Sequence, residues 1–292
     1  MKTTKAKDIY ANPEIYQLMY EPFPPYLNAE AHAIVSISNR LLGPRPKLSA
    51  LEIFSGEGHF LPYLARNFTP TVIEYESLDL YANSATHKLN AETFDIPAKR
   101  YDLIFITYSS IEAVGMLDIS KVFAQAYRHL NPGGMFIANR APNTDNLPES
   151  WFPLSTAQEV RVFSLLERPV VAKFAPPTKE TNPIYKLSMP VRVIYDRTTG
   201  IIHYKYVKPI TIKKASGGPV LGKIDVPEGV ALRYMTEKEI FSALRQAGIT
   251  KGIHVYSYDE SEYLAPLEEL PLFLTDVSAG GFSTFNWFAV IK

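Results

Sequence analysis

The segment Glu52-Ile53-Phe54-Ser55-Gly56-Glu57-Gly58 joins a short apolar run to a helical pattern through a glycine-rich turn. A turn of that kind lets a ligand approach bare backbone N–H groups, and the dipole of the helix behind it favours the ligand's negative end. Glycines at strand-to-helix turns also occur for structural reasons alone, so the turn by itself leaves both readings open. Twenty-one residues beyond Gly58, where the next strand pattern ends, stands Asp79. A carboxylate at that point can accept hydrogen bonds from both hydroxyls of a ribose. Together the two features predict a site for a nucleoside-bearing cofactor. Glu74 and Glu76 compete for the acid's role but precede the strand end, and they read as solvated side chains. The histidines show no pair at metal-ligand spacing. The absence of cysteine excludes disulfides, thiolate metal sites and cysteine nucleophiles.

Those residues need elements to position them. The 292-residue chain balances 30 Lys+Arg against 30 Asp+Glu and is 46% apolar, the composition of a soluble globular protein with ample core. A neutral total gives no electrostatic footprint for nucleic acid or an anionic membrane. No apolar run approaches the roughly 18 residues of a spanning helix, and no secretory h-region follows Met1, so the expected location is cytoplasmic. The 23 prolines and 18 tyrosines point to many fixed turns and to surfaces or pockets rich in amphipathic rings.

Between residues 47 and 141 strand and helix patterns alternate. Leu51–Phe54, Glu76–Leu80 and Tyr101–Thr107 read as strands, with His87–Asn90 a candidate between the last two. Phe60–Arg66 and Leu117–Leu130 read as helices, and Met135–Ala138 resumes the sheet after Asn131-Pro132-Gly133-Gly134. Such alternation predicts right-handed crossovers and a mostly parallel sheet covered on both faces. Before it, Ala29–Leu42 has a helical stripe behind the interruptions Pro22, Pro24 and Pro25. Residues 142–185 are rich in proline around Trp151 and Phe152 and read as a long excursion. The period then becomes two, with Val191, Val193 and Tyr195 alternating before Asp196-Arg197-Thr198-Thr199-Gly200 and Ile202, Tyr204 and Tyr206 alternating after it, which predicts an antiparallel hairpin. Thr236-Glu237-Lys238-Glu239 is a capping box that opens a last helix, stopped by Gly248. The organisation expected is an N-terminal helical lid at 1–46, a cofactor-binding core at 47–141, an insertion on the substrate side at 142–232, and a closing helix and strands at 233–292.

The motifs now resemble a known family. Leu51 to Gly58 resembles the first motif of class I S-adenosylmethionine-dependent methyltransferases, an acid followed by three alternating glycines, with Phe54 in the first glycine's place. Ser77-Leu78-Asp79-Leu80-Tyr81 is similar to the second motif and Asn90-Ala91-Glu92 to the adenine-side loop. Arg100–Ile104 is similar to the fourth strand, and His129–Gly134 to the turn before the fifth. Five motifs in order over residues 50 to 140 are more specific than any one of them. The subfamily layout is similar to small-molecule N-methyltransferases acting on glycine or amino sugars, through Tyr108-Ser109-Ser110-Ile111 and the antiparallel insertion.

The resemblance implies a Rossmann-like α/β fold with a mostly parallel seven-stranded sheet and an antiparallel insertion after the fifth strand. It implies S-adenosylmethionine as cofactor, held by Tyr16, Tyr20, Glu52, Phe54, Ser55, Gly56, Gly58, Asp79, Leu80, Asn90, Ala91, Glu92, Thr107 and Tyr108. Tyr20, Tyr108, Ser110 and Glu112 become the candidates for handling the acceptor's proton. Phe54 would not take positive φ comfortably, so its ring is expected to end the strand in the core, leaving the approach to Gly56 and Gly58. Asn90, where the family often has aspartate, brings a hydrogen bond without charge. The activity implied is methyl transfer to a nitrogen of a small molecule, amino acid or short peptide; a homodimer is left open. O-methylation of a carboxylate or hydroxyl stays open. So does a non-catalytic module binding a nucleoside or a partner protein, for which Phe54 and Asn90 speak.

Overall fold

The computed structural model describes residues 24–68, 71–107, 110–113, 117–140, 156–164, 183–196, 201–206, 209–217, 219–224, 230–233, 235–257, 275–276 and 287–292. They divide into two compact units, one formed by Pro22–Asn146 with Tyr234–Lys292, the other containing residues 147–233.

In the first unit, β1 (Lys47–Ile53), β2 (Val72–Leu78), β3 (Tyr101–Ile106) and β4 (Leu130–Asn139) pair in parallel, β1 lying between β2 and β3. The chain runs outward from β1 to β2 and then crosses back to β3, so the strand order reverses between β1 and β3. In open α/β sheets, ligands bind beyond the carboxyl ends of the strands at such a reversal. Every residue of β3 except Asp102 is buried, as a parallel strand covered on both faces requires. At the opposite, amino end of the strands Asp102 ties β3 to its neighbours: its carboxylate accepts from the Ser49 N–H (3.0 Å), the Ser49 hydroxyl (2.9 Å) and the Asn131 amide (2.9 Å).

Two layers of helices cover the sheet. On one face α1 (Pro24–Leu42) and α2 (Leu61–Asn67) bury Leu27, Ile34, Ile37 and Leu64 with Phe60 against Phe105 and Trp287. Pro24 and Pro25, read as interruptions, sit in the first turn of α1, where the missing N–H has no helical partner to lose. This helix, within the stretch expected as a lid, buries Leu27, Ala31, Ile34, Val35 and Ile37 in the core. After β3 comes the single turn α3 (Ser110–Ala113). On the other face α4 (Ile119–Arg128) packs Phe123 against Phe136 of β4. Beside it lies α5 (Glu237–Gln246), opened by the expected capping box: Thr236 accepts from the Glu239 N–H, and the Glu239 carboxylate reaches back. Then β11 (Ile253–Ser257), β12 (Thr275–Asp276) and β13 (Trp287–Ile291) complete a seven-stranded sheet in the order β12-β11-β13-β4-β3-β1-β2. β13 runs against β4 and β11 against β13, so β11 points the same way as β1 to β4, and five of the seven strands share one direction.

Two expectations are corrected here. His87–Asn90 is not a strand but a single bridge, Leu78 to His87, in a connection without helix. Only backbone bonds of Ser77 and Asp79 are shared there, too few for a ladder. Glu74 is solvated, but Glu76 is not. Its carboxylate accepts from His87 Nε2 (2.7 Å), the Tyr101 hydroxyl (2.6 Å) and Lys99 Nζ. Burial pushes its pKa up, yet these bonds and the Lys99 charge outweigh burial and hold it down at about 2. A carboxyl with a lowered folded pKa stabilises the fold above its unfolded pKa of 4.5, and that contribution is lost as pH falls toward 2. Glu76→Gln should therefore cost roughly 1–3 kcal/mol at pH 7 and flatten the acid limb of urea-unfolding stability between those two pH values.

The second unit is antiparallel. Its sheet runs β10 (Val230–Arg233), β7 (Ile201–Tyr206), β6 (Ile184–Asp196), β8 (Ile210–Lys214), β9 (Gly222–Ile224), with β5 (Thr156–Ser164) also paired to β6. The hairpin read from the sequence is present, and its register sets Val191 opposite Tyr206, Val193 opposite Tyr204 and Tyr195 opposite Ile202. Within the expected excursion, residues 156–164 are a regular strand.

Candidate functional site

At the carboxyl end of β1 the chain makes a turn in which Phe54, Gly56 and Gly58 all take positive φ (63°, 52° and 75°). These are the three alternating glycine positions of the motif. The expectation that Phe54 avoids the left-handed region is thus corrected: it adopts it. Its ring still packs, partly buried, against the core beside α4. The N–H groups of Phe54 and Ser55 both donate to the Leu78 carbonyl (2.9 and 3.2 Å). These two bonds pin the turn against the end of β2, and such over-determination can hold a residue in a strained region. Left-handed backbone costs a non-glycine residue about 1–2 kcal/mol. Phe54→Gly should accordingly be more stable than Phe54→Ala by about 1 kcal/mol in urea unfolding, since both lose the ring and only alanine keeps the strain. Equal stabilities would contradict the positive φ.

The turn does not present bare N–H groups as expected. Gly56 N–H donates to Asp79 Oδ2 (3.0 Å), and Gly58 N–H to the Ser55 carbonyl (3.1 Å). What it leaves is space and one orphan. Ser55 is buried, and its hydroxyl has no hydrogen-bond partner among the described residues. Buried hydroxyls are nearly always bonded, so a ligand's polar group fits there. A Cβ on Gly58 would meet nothing nearer than Ser84 Oγ at 4.0 Å, so its absence of a side chain answers to φ rather than crowding.

Asp79 ends β2 as expected and is the clasp of the site. Besides Gly56, it accepts from the N–H groups of Tyr81 (2.8 Å) and Ala82 (3.0 Å) through Oδ1. The next two side chains stand in water, Leu80 at 47% and Tyr81 at 43% exposure, although most large apolar groups of the unit are buried. An exposed apolar pair beside an acid suits the flat face of a nucleobase next to a ribose.

Glu52, 2% exposed, lies under the turn. Thr107, which follows β3, donates to its Oε1 (3.2 Å), and the Tyr75 hydroxyl of β2 donates to its Oε2. Burial pushes the Glu52 pKa up, the two hydroxyls pull it down, and the Asp79 charge raises it, leaving it at about 7. Burial and the Glu52 charge push the Tyr75 hydroxyl up as well, so it stays a donor.

The structure thus brings Glu52, Phe54, Ser55, Gly56, Gly58, Asp79, Leu80 and Thr107 to one end of the sheet. The Asn90 amide oxygen accepts from the Glu92 N–H (2.8 Å), Ala91 is buried in the core, and Glu92 accepts from the Asp118 N–H ahead of α4 (2.8 Å). Ser110 opens α3 with its N–H on the Thr107 carbonyl. Glu112 is buried, and its Oε1 accepts from the Met235 N–H (3.3 Å). Tyr16, Tyr20, Tyr108, Trp151 and Phe152 lie outside the described residues. Sequence reasoning missed Tyr75. Strand alternation puts it on the Glu52 side of β2, but only the register, Ala50 opposite Tyr75, brings its hydroxyl within reach.

A reversed-order sheet with this turn after β1 and this acid after β2 is the fold of class I S-adenosylmethionine-dependent methyltransferases. It is shared with the sugar N-methyltransferase KedS8 from Streptoalloteichus sp ATCC 53650, at a TM-score of 0.57 and 14% identity over 95% of this chain and 92% of that one. Streptomyces venezuelae DesVI superposes at 0.56, with 14% identity over 95% and 96% of the two chains. The SAM-bound amino pentose methyltransferase CalS10 from Micromonospora echinaspora superposes at 0.54, with 13% identity over 94% and 93%. No protein-family model and no curated protein sequence matches this chain. Among the described residues no helix is long and apolar enough to cross a membrane, and no group of His, Cys, Asp and Glu could hold a metal ion.

Proposed function

We propose that this protein is an S-adenosylmethionine-dependent methyltransferase that transfers a methyl group to a nitrogen of a small molecule, amino acid or short peptide. The observation carrying the reading is the turn with three alternating positive-φ positions clasped by Asp79, with the Ser55 hydroxyl beneath it unpartnered among the described residues. In this reading Asp79 and Leu80 hold the nucleoside, the Asn90-Ala91-Glu92 turn meets the adenine, and Ser55 with Glu52 serves the methionyl part. When bound, the cofactor supplies the activated methyl group. The chain's own task is to hold an acceptor nitrogen in line with it and to exclude water. An amine must arrive neutral, and Tyr20, Tyr108, Ser110 and Glu112 are the residues assigned to its proton. Ser110 and Glu112 lie in α3, directly beyond the carboxyl end of β3.

Acceptor choice is assigned to residues 142–232. The similarity to KedS8, a sugar N-methyltransferase, and CalS10, an amino pentose methyltransferase, supports a sugar-borne amine as the first acceptor to try. A cytoplasmic location belongs to the same reading. Calorimetric titration with S-adenosylmethionine and S-adenosylhomocysteine tests the cofactor. Product formation over amino sugars, amino acids and short peptides tests the transfer. Binding followed by N-methyl product is the expected result. Methylation of hydroxyls or carboxylates alone would replace nitrogen by oxygen, and binding without transfer to any acceptor would favour a non-catalytic module.

A further inference from the structure

The neutral charge of the whole chain conceals a cationic segment: residues 147–233 hold 13 Lys+Arg against 7 Asp+Glu. The register of the second unit's sheet gathers part of that excess on one face. Lys186 of β6 lies opposite Lys213 of β8, Ser188 lies opposite Thr211, and Thr211 lies opposite Lys223 of β9. Directly opposed residues share a face, and strand alternation sends their neighbours to the other. Burial follows that division. Tyr185, Leu187, Ile210 and Ile212 are buried, whereas Ile184, Lys186 and Lys223 are exposed and Lys213 is partly so. Farther along β6 the same parity sets Arg192 opposite Lys205 of β7. Like charges directly opposite one another destabilise a sheet, yet two cationic pairs stand on this one face. Among the described residues of β5 to β10 the acid of that parity is Asp196, at the far end of β6 from Lys186.

Such a face calls for an anionic occupant, and its uncharged residues choose among anions. Ile184 (51% exposed) shares the face two residues before Lys186, and Val220 (40% exposed) stands just ahead of β9. Aliphatic side chains beside cations suit the boundary of a bilayer, where the ammonium groups meet acidic headgroups and the apolar groups leave water. A nucleic acid strand is held by rings stacked on its bases. No Phe, Tyr or Trp of β5 to β10 has this parity, because Phe163, Tyr185, Tyr195, Tyr204 and Tyr206 all fall on the other face. Protein interfaces are depleted in lysine, which leads here.

We propose that this face of the antiparallel sheet docks the protein on a bilayer presenting anionic headgroups. Lys186, Lys213 and Lys223 neutralise headgroup charge, and Ile184 enters the headgroup layer. Docking of this kind needs no spanning helix, involves no covalent step and does not depend on the methyltransferase reading.

Co-sedimentation of the full chain with sucrose-loaded phosphatidylcholine vesicles containing none or about 30% phosphatidylserine, at about 0.1 M salt, reads the docking. The protein should bind the anionic vesicles, leave the neutral ones, and be released as salt rises toward about 0.5 M. Each lysine should contribute roughly fivefold, so the triple variant Lys186→Gln/Lys213→Gln/Lys223→Gln should bind on the order of a hundredfold more weakly. It should unfold in urea no earlier than wild type, since a like-charge pair is relieved. Ile184→Ser should weaken binding several-fold and leave its salt dependence unchanged, which separates insertion from charge. If the triple variant does not fold, Lys186→Gln and Lys223→Gln singly should each show the fivefold loss. Failure of wild type to bind anionic vesicles, or equal binding by the lysine variants, would overturn the proposal. Salt-sensitive binding to poly-L-glutamate or to a single-stranded RNA oligonucleotide, with none to vesicles, would overturn it in favour of a polyanionic macromolecule.

Discussion

Asp79→Ala should weaken S-adenosylmethionine binding by roughly 1.5–3 kcal/mol, on the order of tenfold to a hundredfold in Kd. The effect has two sources. A ribose would lose a charge-assisted acceptor, and the site would lose its clasp, because the carboxylate also accepts the N–H groups of Gly56, Tyr81 and Ala82. Each carboxylate oxygen has two lone pairs, so bonds within the protein do not exhaust its capacity for a ligand. The three backbone groups left without their acceptor should also lower the unfolding free energy by about 1–3 kcal/mol. Asp79→Asn separates the two sources. With its oxygen in the place of Oδ1 it still serves Tyr81 and Ala82, but it turns a donor toward the Gly56 N–H and supplies no charge. Stability should then return further than affinity does. Unchanged affinity in a folded Asp79→Ala protein would remove this residue from the site.

Phe123→Ala should lower the unfolding free energy by about 3–5 kcal/mol, the range for a fully buried aromatic ring. The ring meets Phe136 of β4 and Phe288 of β13, both with centroids at 5.5 Å, and those two meet each other at 5.9 Å, nearly edge to face. Because the triad joins a helix to a parallel and an antiparallel strand, the cavity cannot close by moving one element. Chemical denaturation followed by tryptophan fluorescence can read the loss, since Trp287, adjacent to Phe288, is itself fully buried. A loss below about 1 kcal/mol would mean that the three rings do not form a packed core. The site should keep its affinity wherever the variant is folded, which separates this change from Asp79→Ala.

The helix α4 was legible because its apolar residues Ile119, Val122, Phe123 and Ala126 recur at helical spacing, and all four are buried. The hairpin was legible because two runs of period two flank the turn signal Asp196–Gly200, while the pairing across it came from the strand register. The first and second motifs were legible as a turn and an acid, but their chemistry was only half readable. Whether Asp79 was free or engaged, and whether Phe54 could tolerate positive φ, depended on the Leu78 carbonyl and on the loop from Tyr81 to Ser84. Glu76 was misread for the same reason. Nothing local announces that Lys99, Tyr101 and His87, 11 to 25 residues away, converge on it.

By itself the sequence determined what is local or periodic: the alternating strands and helices, the glycine turn after β1, the acid after β2, the capping box of α5 and the presence of the hairpin. These follow from steric preferences and from the side-chain periods of helix and strand, which act along the chain. Tertiary structure alone decided the electrostatic character of the site. The pairing of β1 with β2 and β3 set Glu52 among the Tyr75 and Thr107 hydroxyls, out of water and beside the Asp79 charge. Desolvation and Coulomb energy act through space, so the protonation state of Glu52 exists only once strands far apart in sequence lie side by side.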